Sequence, residues 1–185
     1  MEPTEQLSYI LPTLNAMVDR IEPSQLNYPT PCAQFTVHDV LDHMMVLGGS
    51  FAYWFRGKEA PEVKAPTVQD RVPAAEFRAA MDDLLVAIKS PGATERIISA
   101  PIGKMPGSVF ARFVAFDGLI HGWDLATATG LDYDLPPTVI TSVDEFARGA
   151  LSAQMRDGDT FKEATIAPED ASQLECLVAF TGRSL

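Results

Sequence analysis

Asp117 and His121 lie four residues apart in the middle of a helix that the sequence predicts from Ser108 to Gly130. Ser108 is a residue type that begins helices, and Gly130 is the residue type that most often ends them. Side chains four residues apart project from the same side of a helix, about one turn from each other. A carboxylate and an imidazole at this spacing can bind one divalent cation, or they can form an ion pair.

These polar residues lie on the apolar face of the predicted helix. With an advance of about 100° per residue, Asp117, His121 and Asp124 fall inside the apolar arc, whereas Arg112 and Trp123 fall outside it. Burial of an unpaired charge is unfavourable, so buried ionisable groups become neutral, pair or bind a metal. We therefore expect these three side chains to be satisfied by one another or by an ion. The apolar members of the arc are Phe110, Phe113, Val114, Ile120 and Ala128.

A second predicted helix carries another candidate ligand. Thr36 and Asp39 form a capping box at its start, and its apolar pattern continues to about Phe55. His43 lies at the edge of the apolar stripe, whereas His38 lies in the first turn and is predicted to be a surface residue. The stripe consists of Val37, Val40, Leu41, Met44, Leu47 and Phe51.

His43, Asp117 and His121 together would form a set of two histidines and one carboxylate with open coordination positions. Such a set suits Zn²⁺, Fe²⁺, Ni²⁺ or Mn²⁺ and is more typical of a reactive site than of a closed structural one. Asp124 could orient a ligand imidazole through its second ring nitrogen. The alternative is structural, because an Asp and a His at this spacing commonly form an ion pair and a lone His at a stripe edge is often a core residue.

The remaining pattern predicts an all-α protein built as a helical bundle, whose core is a natural place for metal sites. Pro12 interrupts the apolar pattern of the first helix, which is therefore either kinked or begins later. Pro101 lies in a segment, residues 96–103, that is predicted to be extended. Further helices are predicted from about Pro73 to Lys89, Pro137 to Ala153 and Ala171 to Phe180, with a turn at Asp157-Gly158-Asp159.

Composition restricts the classes of function. A chain of 185 residues is expected to form one domain, residues 1–185, with a single core. The formal net charge of −11 argues against binding to nucleic acid or to an anionic membrane surface. No apolar run approaches the roughly 18 residues of a membrane span, and no signal peptide is visible. The two cysteines, Cys32 and Cys176, do not suggest a disulfide framework, so we expect a cytoplasmic protein.

Two stretches of the sequence resemble the mycothiol-dependent maleylpyruvate isomerase N-terminal domain family of the DinB-like superfamily. Residues 28–32 and 36–44 resemble the opening of that family, and the run from His121 to Gly130 is similar to its most distinctive motif. The ending from Ala179 to Arg183 matches a single-domain, metal-binding actinobacterial branch. The resemblance implies a DinB-like four-helix bundle with additional C-terminal helices. It also implies a divalent metal held by His43, Asp117 and His121.

The chain departs from the family pattern in two respects. Asp117 stands where the family usually has Glu, so the implied ion must lie closer to the backbone or be reached through a water. The sequence also lacks the C-terminal domain of the two-domain isomerase, and maleylpyruvate isomerisation itself is therefore not expected. A fold resemblance alone does not fix a reaction.

Three functions remain open at this point. The resemblance implies a thiol-dependent isomerase or transferase, in which a metal ion, Zn²⁺ before Ni²⁺, Fe²⁺ or Mn²⁺, activates mycothiol toward a small electrophile. The second is a metal- or small-ligand-binding protein without turnover, such as a sensor or carrier. The third is a metal-free bundle with a buried ion pair. A homodimer is compatible with the family, although the sequence contains no dedicated interface signal.

Two further features are predicted to have a structural role. Cys32 is not expected to be a nucleophile, because the neighbouring sequence contains no Lys or Arg to stabilise a thiolate. Tyr53, Trp54 and Phe55 could shape the mouth of a pocket, although aromatic residues at a helix end more often serve packing.

Overall fold

Helices provide most of the regular structure in the computed structural model, which describes residues 1–62, 64, 71–156 and 161–185. The turn predicted at Asp157-Gly158-Asp159 lies outside the described residues. The predicted all-α class is confirmed, with the addition of one short β-hairpin. The helices are α1 (Pro3–Val18), α2 (Val37–Phe55), α3 (Ala74–Ile88), α4 (Gly107–Thr129), α5 (Pro137–Ala150) and α6 (Gln173–Phe180); the strands are β1 (Ile97–Ala100) and β2 (Gly103–Pro106).

The first four helices form the bundle. Helix α1 packs against α3 and α4, and α2 packs against the same two helices. Each large side chain that becomes fully buried at these contacts contributes about 1.5–3 kcal/mol of hydrophobic stabilisation. Residues from all four helices form the interior, which includes Leu7, Ile10, Leu14, Leu41, Phe55, Phe77, Leu84 and Leu119.

Helix α4 is the central helix and is buried on more than one side. The sequence predicts a single apolar arc around Asp117, but Ala115 and Leu119 on the opposite side are also completely buried. Gly118 lets α1 approach closely, since a Cβ atom there would lie 3.1 Å from Cγ2 of Ile10. The helix also contacts α2 and α5. The predicted apolar arc is therefore only part of the buried surface of α4, because neighbouring helices cover it from several directions.

The helix boundaries follow local sequence signals at several ends. The capping box of Thr36 and Asp39 is present at the start of α2, as predicted, and Gly130 ends α4 in the left-handed conformation. Helix α1 begins at Pro3 and continues through Pro12, so a start after Pro12 is ruled out. Helix α5 ends at Ala150, three residues earlier than predicted.

The segment from Ile97 to Pro106 forms the hairpin that leads into α4. Strand β1 pairs with β2 in an antiparallel register in which Ile97 lies opposite Pro106 and Ala100 lies opposite Gly103. Two short 3-10 helices lie at Pro23–Gln25 and Ala153–Met155. Among the described residues, no helix is both long enough and apolar enough to cross a membrane.

Candidate metal centre

Three of the predicted site residues meet between α2 and α4. Nε2 of His43 lies 3.9 Å from Oδ1 of Asp117, and Nε2 of His121 lies 3.6 Å from the same oxygen. The two imidazole rings are 4.9 Å apart between centroids. One donor atom from each residue lies within 4.8 Å of the other two. The structure therefore brings His43, Asp117 and His121 into one cluster.

The donor set and its spacing fit a divalent transition metal. Zinc binds imidazole nitrogen and carboxylate oxygen at about 2.0–2.2 Å, so tetrahedral ligand atoms lie about 3.3–3.5 Å from one another. The two distances to Asp117 exceed this range by only a few tenths of an ångström. The side chain of Asp117 thus reaches the cluster although it is one methylene shorter than glutamate.

Asp117 carries the negative charge of the cluster. Burial raises the pKa of its carboxyl group, but His121, His43 and Arg183 together outweigh that effect and hold the pKa below its usual value. Its side chain is 35% exposed, compared with 9% for His121. The ionised carboxylate therefore faces the cavity as an acceptor, which is the form that binds a cation.

Asp124 contacts the ring nitrogen of His121 that does not face Asp117. Its Oδ2 lies 3.0 Å from Nδ1 of His121, and its side chain is completely buried. Asp124 also accepts two hydrogen bonds from Arg183, one at each carboxylate oxygen, so both of its oxygens act as acceptors. Nδ1 of His121 is therefore placed to donate a hydrogen bond to Asp124, and Nε2 is the ring nitrogen that faces Asp117.

Arg183 is the residue of the candidate site that spacing alone did not reveal. In the sequence it is only part of an ending similar to the family, whereas the structure places its guanidinium group against Asp124, 59 positions earlier in the chain. Its side chain is 7% exposed. The sequence offers only an indirect signal. The carboxylate of Asp124 inside an apolar arc predicts a cationic partner, but it does not indicate which residue provides the cation.

Two glycines explain why the flanking segments can approach the cluster. Gly182 has a φ of +88°, and a Cβ atom there would lie 2.6 Å from Cβ of Lys162 and 2.8 Å from the carbonyl oxygen of Glu163. Gly122 lies against the ring of Tyr133, where a Cβ atom would come within 2.2 Å of Cζ. Glycine at residue 182 therefore allows the chain turn that places Arg183, and glycine at residue 122 leaves room for the partly buried ring of Tyr133.

Cys32 reaches the cluster from the loop before α2. The loop is closed by hydrogen bonds from the backbone N–H and the hydroxyl group of Thr30 to the carbonyl oxygen of Phe35. Donor atoms of Cys32, His121 and Asp124 lie within 4.8 Å of one another.

The electrostatic surroundings of Cys32 do not favour a thiolate. Burial, together with the carboxylates of Asp124 and Asp117, raises the pKa of its thiol by more than Arg183 and Lys162 lower it. The cations near this thiol come from a distant part of the chain, which the local sequence could not show. The expectation that Cys32 is not the nucleophile stays a prediction, now supported by burial instead of by an absence of cations.

A cavity of about 610 Å³ opens onto the cluster, a size typical of sites for small molecules. His43, Asp117, His121, Cys32 and Arg183 lie in its wall. The rest of the described wall is mainly apolar and includes Phe35, Leu47, Phe51, Phe110 and Val114.

The other sequence candidates lie outside this wall. Tyr53, Trp54 and Phe55 do not line the cavity, and Phe55 is completely buried in the core. His38 also lies outside the wall and approaches Asp42 to 3.6 Å, with 29% of its side chain exposed. The suggestion that the Tyr53 to Phe55 cluster forms the pocket mouth is therefore wrong.

Comparison with known proteins identifies the family. Residues 10–126 match the family model described as the mycothiol maleylpyruvate isomerase N-terminal domain. The chain belongs to this family.

Relatives of similar length and related solved structures agree with this assignment. Two uncharacterized proteins from two strains of Mycobacterium tuberculosis are each 30% identical over 173 residues, covering 92% of this chain and 91% of the relative. The crystal structure of a mycothiol-dependent maleylpyruvate isomerase is similar with a TM-score of 0.62 and 14% identity over 78% of this chain and 68% of that one. A histidine-to-alanine mutant of a mycothiol-dependent maleylpyruvate isomerase gives a TM-score of 0.56 at 13% identity, with the same coverage. At this identity the structural similarity establishes the fold, and the predicted DinB-like bundle is confirmed.

Proposed function

We propose that this protein binds a divalent metal ion, Zn²⁺ before Ni²⁺, Fe²⁺ or Mn²⁺, through His43, Asp117 and His121. With that ion it activates a low-molecular-weight thiol of the mycothiol type for isomerisation or S-transfer on a small electrophile. The observation that carries the proposal is the convergence of the three donor atoms at a cavity, in a chain of the mycothiol maleylpyruvate isomerase N-terminal domain family.

The charges around the cluster support a cation there. Asp117 and Asp124 contribute two negative charges and Arg183 one positive charge, so these three side chains carry one net negative charge; the other cation of the wall, Lys162, is exposed. An uncompensated charge beside buried groups is costly, and a divalent cation next to Asp117 would supply positive charge there. Under the third hypothesis, a metal-free ion pair, only the imidazoles of His43 and His121 are available to compensate this negative charge.

The proposed chemistry divides between the ion and the side chains. An ion held at the cluster would supply the positive charge that lowers the pKa of a thiol and maintains the nucleophilic thiolate. His43, His121 and Asp117 would bind the ion. Asp124 would orient the imidazole of His121 through its hydrogen bond with Nδ1. In S-transfer, a carbon–sulfur bond forms and the bond from that carbon to its leaving group breaks. In isomerisation, the sulfur adds to the substrate and leaves again after rotation about a carbon–carbon bond.

The test has two stages that separate the three hypotheses. Untagged protein purified without chelator is first analysed for metals, and about one equivalent of Zn, Ni, Fe or Mn is expected. Metal-loaded protein is then assayed for consumption of electrophiles with mycothiol, and with glutathione and cysteine for comparison. Protein that acquires no metal even after incubation with divalent ions would contradict the proposal. Metal without thiol-dependent turnover would instead support a sensor or carrier.

A further inference from the structure

The cavity beside the metal cluster follows the groove between α2 and α4. On α2, His43, Leu47 and Phe51 line it at intervals of four residues, which places them along one side of the helix. Eight residues of α-helix span about 12 Å. The cavity wall therefore extends roughly that distance from His43 toward Phe51.

The lining residues of α4 follow the same groove in the opposite direction. The ring of His43 contacts that of His121, whereas the ring of Phe51 lies 4.9 Å from that of Phe110. The two helices are thus antiparallel along the cavity. One end is formed by His43, Asp117 and His121, and the other end is formed by apolar side chains of both helices.

In the described wall, charged side chains lie only at the end formed by His43, Asp117 and His121, called the metal end below. Its charged residues are Asp117, Lys162 and Arg183. Lys162 lies beside the residue that precedes Arg183, since a Cβ atom added at Gly182 would be 2.6 Å from its Cβ. Cys32 also belongs to this end, because its sulfur lies within 4.8 Å of donor atoms of His121 and Asp124. The guanidinium group of Arg183 is already engaged by Asp124 through two hydrogen bonds.

The opposite end of the cavity is built from aromatic and aliphatic groups. Phe110 contacts Phe51 edge to face, and Trp54 and Phe55 support the same ring from behind at centroid distances of 5.7 and 5.6 Å. Leu47, Phe51 and Val114 complete this end. The side chains that line this end, Leu47, Phe51, Phe110 and Val114, contain no hydrogen-bond donor or cation for a carboxylate or phosphate, and burial of such a group without a partner is strongly unfavourable. An aromatic ring, in contrast, gains from removal of its surface from water and from contact with other rings.

We propose that the electrophile taken by this site is an uncharged, mainly apolar molecule with an aromatic ring. The ring lies against Leu47, Phe51, Phe110 and Val114, which together form the apolar end of the cavity. The reactive carbon points toward the cluster of His43, Asp117 and His121. The reaction rests on the proposed function, whereas the apolar subsite rests on the cavity wall.

A matched pair of chloronitroarenes tests the inference through turnover. The acceptors are neutral 1-chloro-2,4-dinitrobenzene and anionic 4-chloro-3,5-dinitrobenzoate. With either one, the sulfur of mycothiol bonds to the carbon that carries chlorine, chloride leaves with the bonding electron pair, and the thiol proton passes to solvent. After correction for the non-enzymatic rates, kcat/KM of zinc-loaded protein should be at least tenfold higher for the neutral acceptor. Equal values, or a preference for the benzoate, would overturn the proposal.

Binding of unreactive analogues separates this inference from the proposed reaction. Calorimetry without thiol compares 1,3-dinitrobenzene with 3,5-dinitrobenzoate, on zinc-loaded and on metal-free protein. On the metal-free protein, where the benzoate has no metal ion to bind, the neutral compound should bind at least tenfold more tightly than the benzoate. This preference with no turnover of either chloroarene would support the subsite and contradict the proposed function. Turnover without the preference would contradict the subsite alone.

Substitution of Leu47 by lysine tests the apolar end of the cavity directly. Leu47→Lys should weaken binding of 1,3-dinitrobenzene at least tenfold and shift the preference toward 3,5-dinitrobenzoate. Val86→Lys places the same side chain on α3, at a position that is 64% exposed and outside the cavity, and should change neither affinity. If Leu47→Lys does not fold, as judged by circular dichroism, Leu47→Ala should still weaken binding of the neutral compound several-fold. Unchanged binding in a folded Leu47 variant would overturn the proposal.

Discussion

Arg183 and Asp124 form a buried, two-bond ion pair. Nε of Arg183 donates to Oδ1 of Asp124, and one terminal nitrogen donates to Oδ2, each over 2.8 Å. Asp124 is completely buried, and Arg183 is 7% exposed. Because Asp124 also lies within hydrogen-bond distance of Nδ1 of His121, the pair links the segment after α6 to the imidazole of the candidate metal centre. A change at residue 183 should therefore affect both the stability of the fold and the properties of the site.

Arg183→Met should lower the free energy of unfolding by about 3–5 kcal/mol, because it leaves the carboxylate of Asp124 buried without its main partner. Urea denaturation of metal-free protein measures this difference. Arg20→Met is the control, since Arg20 approaches Asp132 only to 4.0 Å and both side chains are largely exposed. The control should cost no more than about 1 kcal/mol. Equal losses in the two variants would show that the buried pair contributes no more than a surface contact.

Asp124→Asn should reduce metal affinity about 10–100-fold while the bundle stays folded, as is typical when an outer-shell partner of a ligand histidine is lost. The amide has one acceptor oxygen, so it cannot accept from Nδ1 of His121 and from both nitrogens of Arg183. Competition with a chromophoric chelator measures the zinc affinity of both proteins. Unchanged affinity would mean that the orientation of His121 does not depend on Asp124.

His43→Ala and His121→Ala should each abolish stoichiometric metal binding without unfolding the protein. Each removes one of three donor atoms, and each site can fill with water or collapse. Elemental analysis gives the metal content, and thermal melts with added zinc give an independent measure, because a ligand that binds only the folded state raises its stability by mass action. His38→Ala is the control on the same helix, outside the cavity wall, and should keep both the metal and the zinc-dependent shift. Full metal occupancy in either ligand variant would show that the assignment of that residue is wrong.

The sequence predicted the features that depend on near neighbours in the chain. The capping box that begins α2 involves residues three apart, and the left-handed Gly130 that ends α4 is a local backbone preference. The spacing of Asp117 and His121 also follows from helix geometry alone. His43 was found because it lies at the edge of a regular apolar stripe. These signals indicated candidate ligands, and the structure places their donor atoms together.

Features that depend on distant parts of the chain could not be read from spacing. Arg183 reaches Asp124 across 59 positions, and no periodic pattern connects them. The cavity depends on the antiparallel packing of α2 and α4, which brings Phe51 beside Phe110 and leaves Trp54 behind that ring. The burial of α4 on several sides depends in the same way on the helices around it, so the single apolar arc described only part of its environment.

The turn before Arg183 gives the last prediction. Gly182→Ala introduces a Cβ atom 2.6 Å from Cβ of Lys162 and 2.8 Å from a backbone oxygen, in addition to the strain of a positive φ. Backbone at these distances must shift, so the guanidinium group of Arg183 should move away from Asp124. We expect a loss of several kcal/mol in stability, of which the left-handed conformation accounts for about 1–2 kcal/mol, and a loss of zinc affinity of at least tenfold.

Gly92→Ala separates the two causes of that loss. Gly92 has a φ of +75°, close to that of Gly182, but among the described residues no atom outside its own chain neighbours lies within 4 Å of a Cβ added there. This variant should lose about 1–2 kcal/mol from backbone strain and bind zinc as the wild type does. Urea denaturation and chelator competition on the same samples provide both quantities. If Gly182→Ala loses no more stability than Gly92→Ala and keeps its zinc affinity, the turn at residue 182 does not control the position of Arg183.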